Sequence, residues 1–157
     1  MNIETNSVVL DPFVGSGTTI RACKKLNRHF IGIDINKKSA ELLNLKPNKD
    51  FDKPIDSIYI GDCLDIMKEL YERHGSFVDL IYADPPFGRN GVDKQFGINW
   101  NDYPVDNDLL SKLFGTDIIK QMKYQTKAYV TWLYPRIDMC HKLLKDTGSM
   151  YLHCDNK

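Results

Sequence analysis

A carboxylate, two prolines and an aromatic ring follow an apolar segment of the chain, as Asp84-Pro85-Pro86-Phe87 after Val78 to Ala83. Proline fixes its own φ, has no backbone N–H, and holds the preceding residue extended. The carboxylate and the ring therefore belong to a stiff segment whose carbonyls point outward. Carboxylate and carbonyl oxygens accept hydrogen bonds and a ring offers a stacking face, so the segment suits a planar group that carries an amine. A strand that simply ends at a Pro-Pro turn is the alternative interpretation.

A glycine turn is the second segment whose residues could bind a ligand; it is Gly15-Ser16-Gly17, after the short apolar run from Ser7 to Leu10. Glycine permits a tight turn and close backbone approach, and the free N–H groups of a helix that starts here bind anions. The turn is not a phosphate-binding P-loop, because no Lys-Ser/Thr pair follows it. It is also a poor dinucleotide fingerprint, because Ile20 stands where the third glycine belongs.

Polar and aromatic residues near this turn suggest what it binds. Asp34 ends the second predicted strand, where it can accept hydrogen bonds from ribose hydroxyls. Asp62 can accept from an exocyclic adenine amine, and Phe13 can lie against a cation such as a sulfonium. With a carboxylate on the helix N-terminus, these partners together describe S-adenosylmethionine. The competing interpretation is that the carboxylates only cap helices.

Strands and helices alternate along the chain, which predicts an α/β fold: a Rossmann-like, doubly wound and mostly parallel sheet of about five strands with helices on both faces. The predicted strands are 7–10, 29–34, 58–62, 77–84 and 149–154; the predicted helices are 20–26, 37–45, 64–73, 109–114 and 128–145, and a long loop spans 88–108. Each strand ends at an aspartate (Asp11, Asp34, Asp62, Asp84 and Asp155). In open α/β sheets ligands bind at the carboxyl ends of the strands, so these carboxylates are expected along one edge.

Composition narrows the class of protein. The chain has 157 residues, which suits one domain, and its 21 basic and 21 acidic side chains balance. No global positive charge therefore indicates a nucleic-acid partner. No segment has the pattern of a membrane span or a signal peptide, so we expect a cytoplasmic protein without a membrane partner. The four cysteines lack C-x-x-C spacing, and we expect buried thiols and no metal site.

At these motifs the chain resembles the amino-directed DNA methyltransferases. Residues 11–19 (Asp-Pro-Phe-Val-Gly-Ser-Gly-Thr-Thr) resemble the cofactor loop of that family, and Asp84-Pro85-Pro86-Phe87 resembles its catalytic tetrapeptide. Gly61 to Leu64 and Gly148 to His153 also resemble family segments, so that the resemblance covers residues 7 to 155. It implies S-adenosylmethionine as cofactor and one catalytic domain over residues 1–157. The implied catalytic residues are Asp84, Pro85, Pro86 and Phe87, and the implied cofactor residues are Asp11, Pro12, Phe13, Gly15, Ser16, Gly17, Thr18, Asp34 and Asp62.

The resemblance also implies a reaction, methyl transfer to an exocyclic base amine of DNA within a restriction-modification context. The base would be extruded from the duplex, the Asp84 carboxylate and the Pro85 carbonyl would accept its amine hydrogens, and Phe87 would stack on it. Aspartate at the head of the tetrapeptide favours adenine N6 over cytosine N4. RNA and protein amides are alternative substrates, and Asp84 rather than asparagine argues against the amide.

The order of the motifs departs from the branch that they most resemble. There the catalytic tetrapeptide precedes the cofactor loop, with a target-recognition region between them, whereas here the cofactor loop comes first. The family fold also carries two more strands than the sequence predicts. We therefore expect a partner chain or a further segment to supply target recognition, and a noncatalytic cofactor-binding half of a split enzyme is the alternative to an active methyltransferase.

Overall fold

The computed structural model describes residues 6–87, 92–93 and 97–154. Its strands are β1 (Val8–Asp11), β2 (His29–Asp34), β3 (Ser57–Ile60), β4 (Val78–Ala83), β5 (Val92–Asp93), β6 (Ile98–Asn99) and β7 (Leu144–Leu152). Its helices are α1 (Thr18–Lys25), α2 (Lys38–Leu42), α3 (Cys63–His74), α4 (Asn107–Phe114), α5 (Thr116–Gln121) and α6 (Tyr124–Leu143). None of the helices in this described part is long and apolar enough to cross a membrane.

The chain divides into two compact units. The first comprises Met1–Pro85 and Asp138–His153, and the second comprises Pro86–Ile137 and Cys154–Lys157. The first unit contains a five-stranded sheet in the order β3-β2-β1-β4-β7, and every neighbouring pair is parallel. This confirms the predicted α/β fold with a parallel sheet. A single cofactor-binding catalytic domain over residues 1–157 stays a prediction, because the chain divides into two compact units.

Both faces of the sheet are covered by helices, as buried parallel strands require. Side chains alternate along β1, so Val8 and Leu10 join one apolar cluster and Val9 joins the other. The first cluster includes side chains of α3 and of the last turns of α6, and the second includes side chains of α1 and α2. Three of the four cysteines (Cys23, Cys63 and Cys140) are buried in these clusters, as predicted, whereas Cys154 is exposed.

The strand order fixes where a ligand can bind. The chain runs outward from β1 through β2 to β3, and then returns to place β4 on the other side of β1. A sheet of this kind opens a crevice where the strand order reverses, at the carboxyl ends of the strands. Here that switch point lies between β1, which ends at Asp11, and β4, which is followed by Asp84.

The carboxy-terminal part of the fold differs from the sequence prediction. Helix α6 begins at Tyr124 rather than at residue 128, it contains Pro135 in its interior, and β7 follows it directly at Leu144. The predicted end of this helix at residue 145 and the predicted start of the strand at residue 149 are therefore wrong, because residues 144–148 belong to β7. These residues lie where the register with β4 shifts, since Val78 pairs with Leu144 but Leu80 pairs with Ser149. Asp155, expected to end this strand, lies outside the described residues.

The second unit contains elements that the sequence prediction lacked. The segment predicted as a loop over 88–108 contains the antiparallel pair β5 and β6, and α5 was not predicted at all. Trp100 is fully buried, with ring centroids 4.9 Å from Tyr103, 5.0 Å from Tyr129 and 5.4 Å from Trp132. Trp100 is therefore a core residue of this unit.

Candidate active site

The glycine turn between β1 and α1 has the backbone that its sequence predicts. Gly15 has φ +52° and Gly17 has φ +85°, a region that residues with a Cβ rarely adopt. A Cβ on Gly17 would lie 2.7 Å from Cγ of Leu43, so α2 packs directly on the turn. The Val14 N–H donates to the Ile33 carbonyl at 3.1 Å, which ties the turn to β2. The turn is held by both its backbone conformation and its neighbours.

The start of α1 offers backbone donors to a ligand. Gly17 is the N-cap residue, and no side chain in the described part of the chain caps the helix there. The Ser16 and Thr18 hydroxyls lie 3.3 Å apart, so they contact each other beside the exposed turn. The first N–H groups of an α-helix have no intrahelical partner, and they attract negative charge. This geometry suits a carboxylate, as the sequence predicts.

Asp34, at the end of β2, is bonded to the turn itself. Its Oδ2 accepts from the Gly15 N–H at 2.8 Å and from the Ser39 hydroxyl at 2.6 Å, and its Oδ1 accepts from the Asn36 N–H at 2.8 Å. A carboxylate has about four acceptor positions, so capacity remains on Oδ1. The contact with ribose stays a prediction, and the structure adds a positioning role that sequence reasoning missed.

Asp11 is the most buried carboxylate of the site, with 3% of its surface exposed. The pKa of its carboxyl is raised to about 6, chiefly by burial and further by the negative charges of Asp84 and Asp34, although hydrogen bonds from the Thr19 hydroxyl and the Phe13 N–H act in the opposite direction. The Phe13 bond measures 3.0 Å to Oδ1. Asp84 and Asp34 therefore each lie within electrostatic reach of Asp11.

The other cofactor candidates have structural contacts of their own. Asp62 is the N-cap of α3, where its Oδ1 accepts from the Leu64 N–H at 2.8 Å, and its contact with adenine stays a prediction. Phe13 is half-buried against the first apolar cluster, and Pro12 is buried. Among residues 6–87 and 97–154, no group of three His, Cys, Asp or Glu side chains is arranged to hold a metal ion.

The predicted catalytic tetrapeptide begins in one compact unit and ends in the other, with the boundary between Pro85 and Pro86. In the first unit, Asp84 is exposed and its Oδ1 lies 3.0 Å from Nδ1 of His153. In the second unit, the indole Nε1–H of Trp100 donates to the Phe87 carbonyl at 3.3 Å. The joint action of Asp84 and Phe87 on one base stays a prediction.

Neither His153 nor Trp100 is among the predicted site residues. The signal for His153 was present in the order of strands, because a residue directly after β7 lies beside a residue directly after β4 when these strands pair in parallel. No comparable signal exists for Trp100, whose hydrogen bond depends on how the second unit folds.

These features define the class: a Rossmann-like α/β protein of the methyltransferase type, with a glycine turn and carboxylates at the switch point of its sheet. The sequence profile of a family described as DNA methylase matches residues 1–45 and 78–157. The chain belongs to this family. Both principal motifs lie in the matched segments, whereas Asp62 lies in the unmatched stretch between them, so that no family match bears on its role.

Relatives with assigned activities are consistent with this membership. The chain is 34% identical over 104 residues to the StyLTI Mod subunit of a type III restriction-modification enzyme from Salmonella typhimurium, a match covering 61% of this chain and 15% of the relative. It is 30% identical over 116 residues to the type II methyltransferase M.KpnI from Klebsiella pneumoniae, covering 74% and 23%. It is 69% identical over 29 residues to the type II methyltransferase M.HindIII from Haemophilus influenzae, a match covering 18% of this chain and 9% of the relative. The matches thus span less than a quarter of each relative.

Proposed function

We propose that this chain carries the S-adenosylmethionine site and the catalytic tetrapeptide of a DNA methyltransferase that acts on an exocyclic base amine, with adenine N6 as the favoured target. The observation that carries the proposal is the glycine turn at the switch point of the sheet: its Gly15 N–H is bonded to Asp34, Asp11 ends β1 and Asp84 follows β4. Family membership supports the same conclusion.

The residues of the turn fit S-adenosylmethionine. A Cβ on Gly15 would meet only the Phe13 carbonyl, at 3.9 Å, so there is room for a ligand to approach this backbone closely. The N–H groups at the start of α1 suit the carboxylate, the remaining acceptor position of Asp34 suits a ribose hydroxyl, and the half-buried Phe13 ring suits a cation. When bound, the cofactor supplies a methyl group on a positively charged sulfur.

The chain itself would bind and orient the amine. The Asp84 carboxylate and the Pro85 carbonyl accept hydrogen bonds from its two N–H groups, which turns the nitrogen lone pair toward the methyl group. Stacking on the Phe87 ring would contribute roughly 1–3 kcal/mol per base. Because the methyl donor is already activated, alignment is the main task, and alignment can lower a barrier by up to about 7–11 kcal/mol. Cysteine takes no part in this scheme.

The nature of the target base follows from the tetrapeptide. The resemblance associates Asp84 with adenine rather than cytosine, and a base in duplex DNA would have to be flipped out to reach it. Cytosine N4 and RNA remain as alternative acceptors that the test below separates. On this proposal the protein acts in the cytoplasm as part of a restriction-modification system and has no membrane partner.

A noncatalytic half of a split methyltransferase is a second candidate. The observation in its favour is coverage: the matched parts span only 15% of the StyLTI Mod subunit and 23% of M.KpnI. Target recognition would then come from a partner chain or from a segment beyond these 157 residues. Such a half binds the cofactor but transfers no methyl group on its own.

Calorimetric titration of the purified chain with S-adenosylmethionine tests the cofactor site. We expect saturable binding that is lost in Asp34→Ala, because this change removes the ribose acceptor and also frees the Gly15 N–H. Asp138→Ala is the matched control, since its carboxylate is 41% exposed in an ion pair with Lys142 and lies on α6. Absence of binding by the folded wild-type chain would contradict the cofactor assignment.

Transfer of a labelled methyl group to oligonucleotides tests the catalytic assignment. Single-stranded DNA avoids the cost of base flipping, and an RNA copy of the same sequence serves as the competing acceptor. We expect N6-methyladenine in the product from the wild-type chain and from Asp138→Ala, and none from Asp84→Ala, which should still bind the cofactor. Cofactor binding without any transfer by the wild-type chain would favour the split-enzyme candidate, and N4-methylcytosine or methylated RNA would reassign the acceptor.

A further inference from the structure

His153 lies beside the catalytic carboxylate because of the strand register. Ala83 pairs with Leu152 in the parallel ladder of β4 and β7. Asp84 and His153, which directly follow these two residues, are therefore neighbours. The His153 backbone N–H donates to the Ala83 carbonyl at 2.9 Å, and its ring Nδ1 lies 3.0 Å from Oδ1 of Asp84. Backbone pairing thus fixes the point from which the imidazole reaches the carboxylate.

The chemistry of the contact decides its direction. A carboxylate only accepts hydrogen bonds, so the ring nitrogen that faces it must carry the proton. A bond to Oδ1 stops rotation of the carboxylate about its last torsion and leaves Oδ2 available to another donor. We infer that His153 is a positioning residue for Asp84, donating its Nδ1–H to Oδ1 so that Oδ2 is directed at the amine of the target base. This inference rests on the proposed function.

A purely structural role explains the pair less well. The His153 side chain is 55% exposed and that of Asp84 is 45% exposed, and exposed pairs of this kind contribute little to folding. The first unit also has backbone pairing between β4 and β7 at several further positions, which does not need the imidazole. What the side-chain bond changes is the orientation of one carboxylate at the switch point of the sheet. A neutral imidazole is sufficient for this task, since the bond requires a proton on Nδ1 and not a net charge.

The first part of the test needs no activity. Long-range ¹H–¹⁵N correlation spectra of the purified chain at pH 8 distinguish an imidazole protonated on Nδ1 from one protonated on Nε2. We expect the Nδ1–H form for His153 in the wild-type chain and the Nε2–H form, usual for free imidazole groups, in Asp84→Ala. The Nε2–H form in the wild-type chain would overturn the inference.

The second part measures kcat, KM and cofactor affinity for two variants. His153→Ala should lower kcat by about 10–100-fold, as loss of a supporting hydrogen bond does at other sites, while the Kd for S-adenosylmethionine stays unchanged. His153→Asn should restore most of kcat, because its Nδ2 is bonded to Cγ as the imidazole Nδ1 is and can donate from nearly the same position. An unchanged kcat in His153→Ala, or no rescue by His153→Asn, would refute the positioning role.

Failure of the proposed function has a different signature. If the wild-type chain binds cofactor, shows the Nδ1–H form and transfers no methyl group to DNA or RNA, then the methyltransferase proposal for this chain alone fails and the inferred role in aiming Asp84 at a base fails with it. If the wild-type chain transfers methyl groups and His153→Ala does so equally well, only the inference about His153 fails.

Discussion

Among the carboxylates that the structure describes, that of Asp11 has the environment that most opposes ionisation. It is nearly fully buried at the end of β1, and its pKa is raised to about 6 by burial and by the charges of Asp84 and Asp34. A charged group in such a place costs free energy, so Asp11 is a candidate for a functional role rather than a stabilising residue. Its acceptor oxygens hold the Phe13 N–H and the Thr19 hydroxyl, which fixes both ends of the glycine turn.

The raised pKa of Asp11 makes a prediction about folding. The folded chain holds the proton more tightly than the unfolded chain, in which the pKa is near 3.8. The corresponding stabilisation is fully present below pH 3.8 and is lost as the pH rises through about 6. At pH 8 the ionised carboxylate therefore costs about 3 kcal/mol of unfolding free energy, for a shift of about two pKa units. Asp11→Asn should be more stable than the wild-type chain at pH 8 by up to this amount, with little difference at pH 4.

Urea denaturation of both proteins between pH 4 and pH 8 measures this effect. Asp117→Asn is the control, because the Asp117 side chain is 90% exposed and its substitution should leave the pH profile unchanged. A constant difference between Asp11→Asn and the wild-type chain over the whole pH range would contradict the assignment of the raised pKa. Asp11→Asn should also preserve the bond from the Phe13 N–H, since the amide oxygen can accept it.

At the scale of elements, the sequence was informative where parallel strands and their ends decide the structure. The apolar runs before Asp11, Asp34 and Asp84 correspond to β1, β2 and β4, and alternation with helices predicted their parallel arrangement. Because such strands share one carboxyl edge, their terminal carboxylates could be expected near each other. The glycine turn was also predictable, since positive φ at Gly15 and Gly17 is a local requirement.

Other elements could not be predicted because tertiary contacts determine them. The sequence predicts a loop at Gly148, between a helix and a strand, but in the structure Gly148 lies in β7, where the register with β4 shifts. A Cβ added to Gly148 would lie 3.2 Å from the Asp79 carbonyl oxygen. Asp34 was assigned to ribose alone, because its bonds to Gly15 and Ser39 appear only once β2, the turn and α2 are assembled. His153 likewise gains its partner from the pairing of two strands that are distant in sequence.

Packing at the end of α2 on the glycine turn leads to a prediction about stability. Gly17 has φ +85° and ψ +26°, and a Cβ on it would overlap the side chain of Leu43, the C-cap residue of α2. Gly17→Ala should therefore lose about 1–2 kcal/mol from the left-handed conformation and about 1–3 kcal/mol more from overpacking.

A double-mutant cycle with Leu43→Ala isolates the steric part. Removing the leucine side chain makes room for the new Cβ, so the double variant should be less destabilised than the sum of the single variants, by about 1–3 kcal/mol in urea denaturation. Additive losses in the double variant would contradict direct packing of Leu43 on the turn. Gly17→Ala also reports on the proposed site, because a displaced turn should weaken cofactor binding.

At the scale of the whole molecule, the proposed functions are distributed unevenly. All nine predicted cofactor residues, from Asp11 to Asp62, belong to the first compact unit, together with Asp84. The second unit contains Phe87 and the aromatic core around Trp100. The chain as a whole has no net charge, so general attraction to DNA phosphates would be weak, and the proposed target binding would depend on specific contacts.

This distribution predicts where the cofactor changes hydrogen exchange. A ligand at one hundred times its Kd stabilises the folded state that binds it by about 2.7 kcal/mol, which corresponds to about 100-fold slower exchange of amides that open with that state. With S-adenosylmethionine present, we expect this slowing in β1, β2 and β4 of the first unit and little change in α4 and α5 of the second. Asp34→Ala, measured by the same method, should show no slowing in either unit. Equal protection of α4 and α5 would mean that the two units unfold together, and protection confined to the second unit would exclude the glycine turn as the cofactor site.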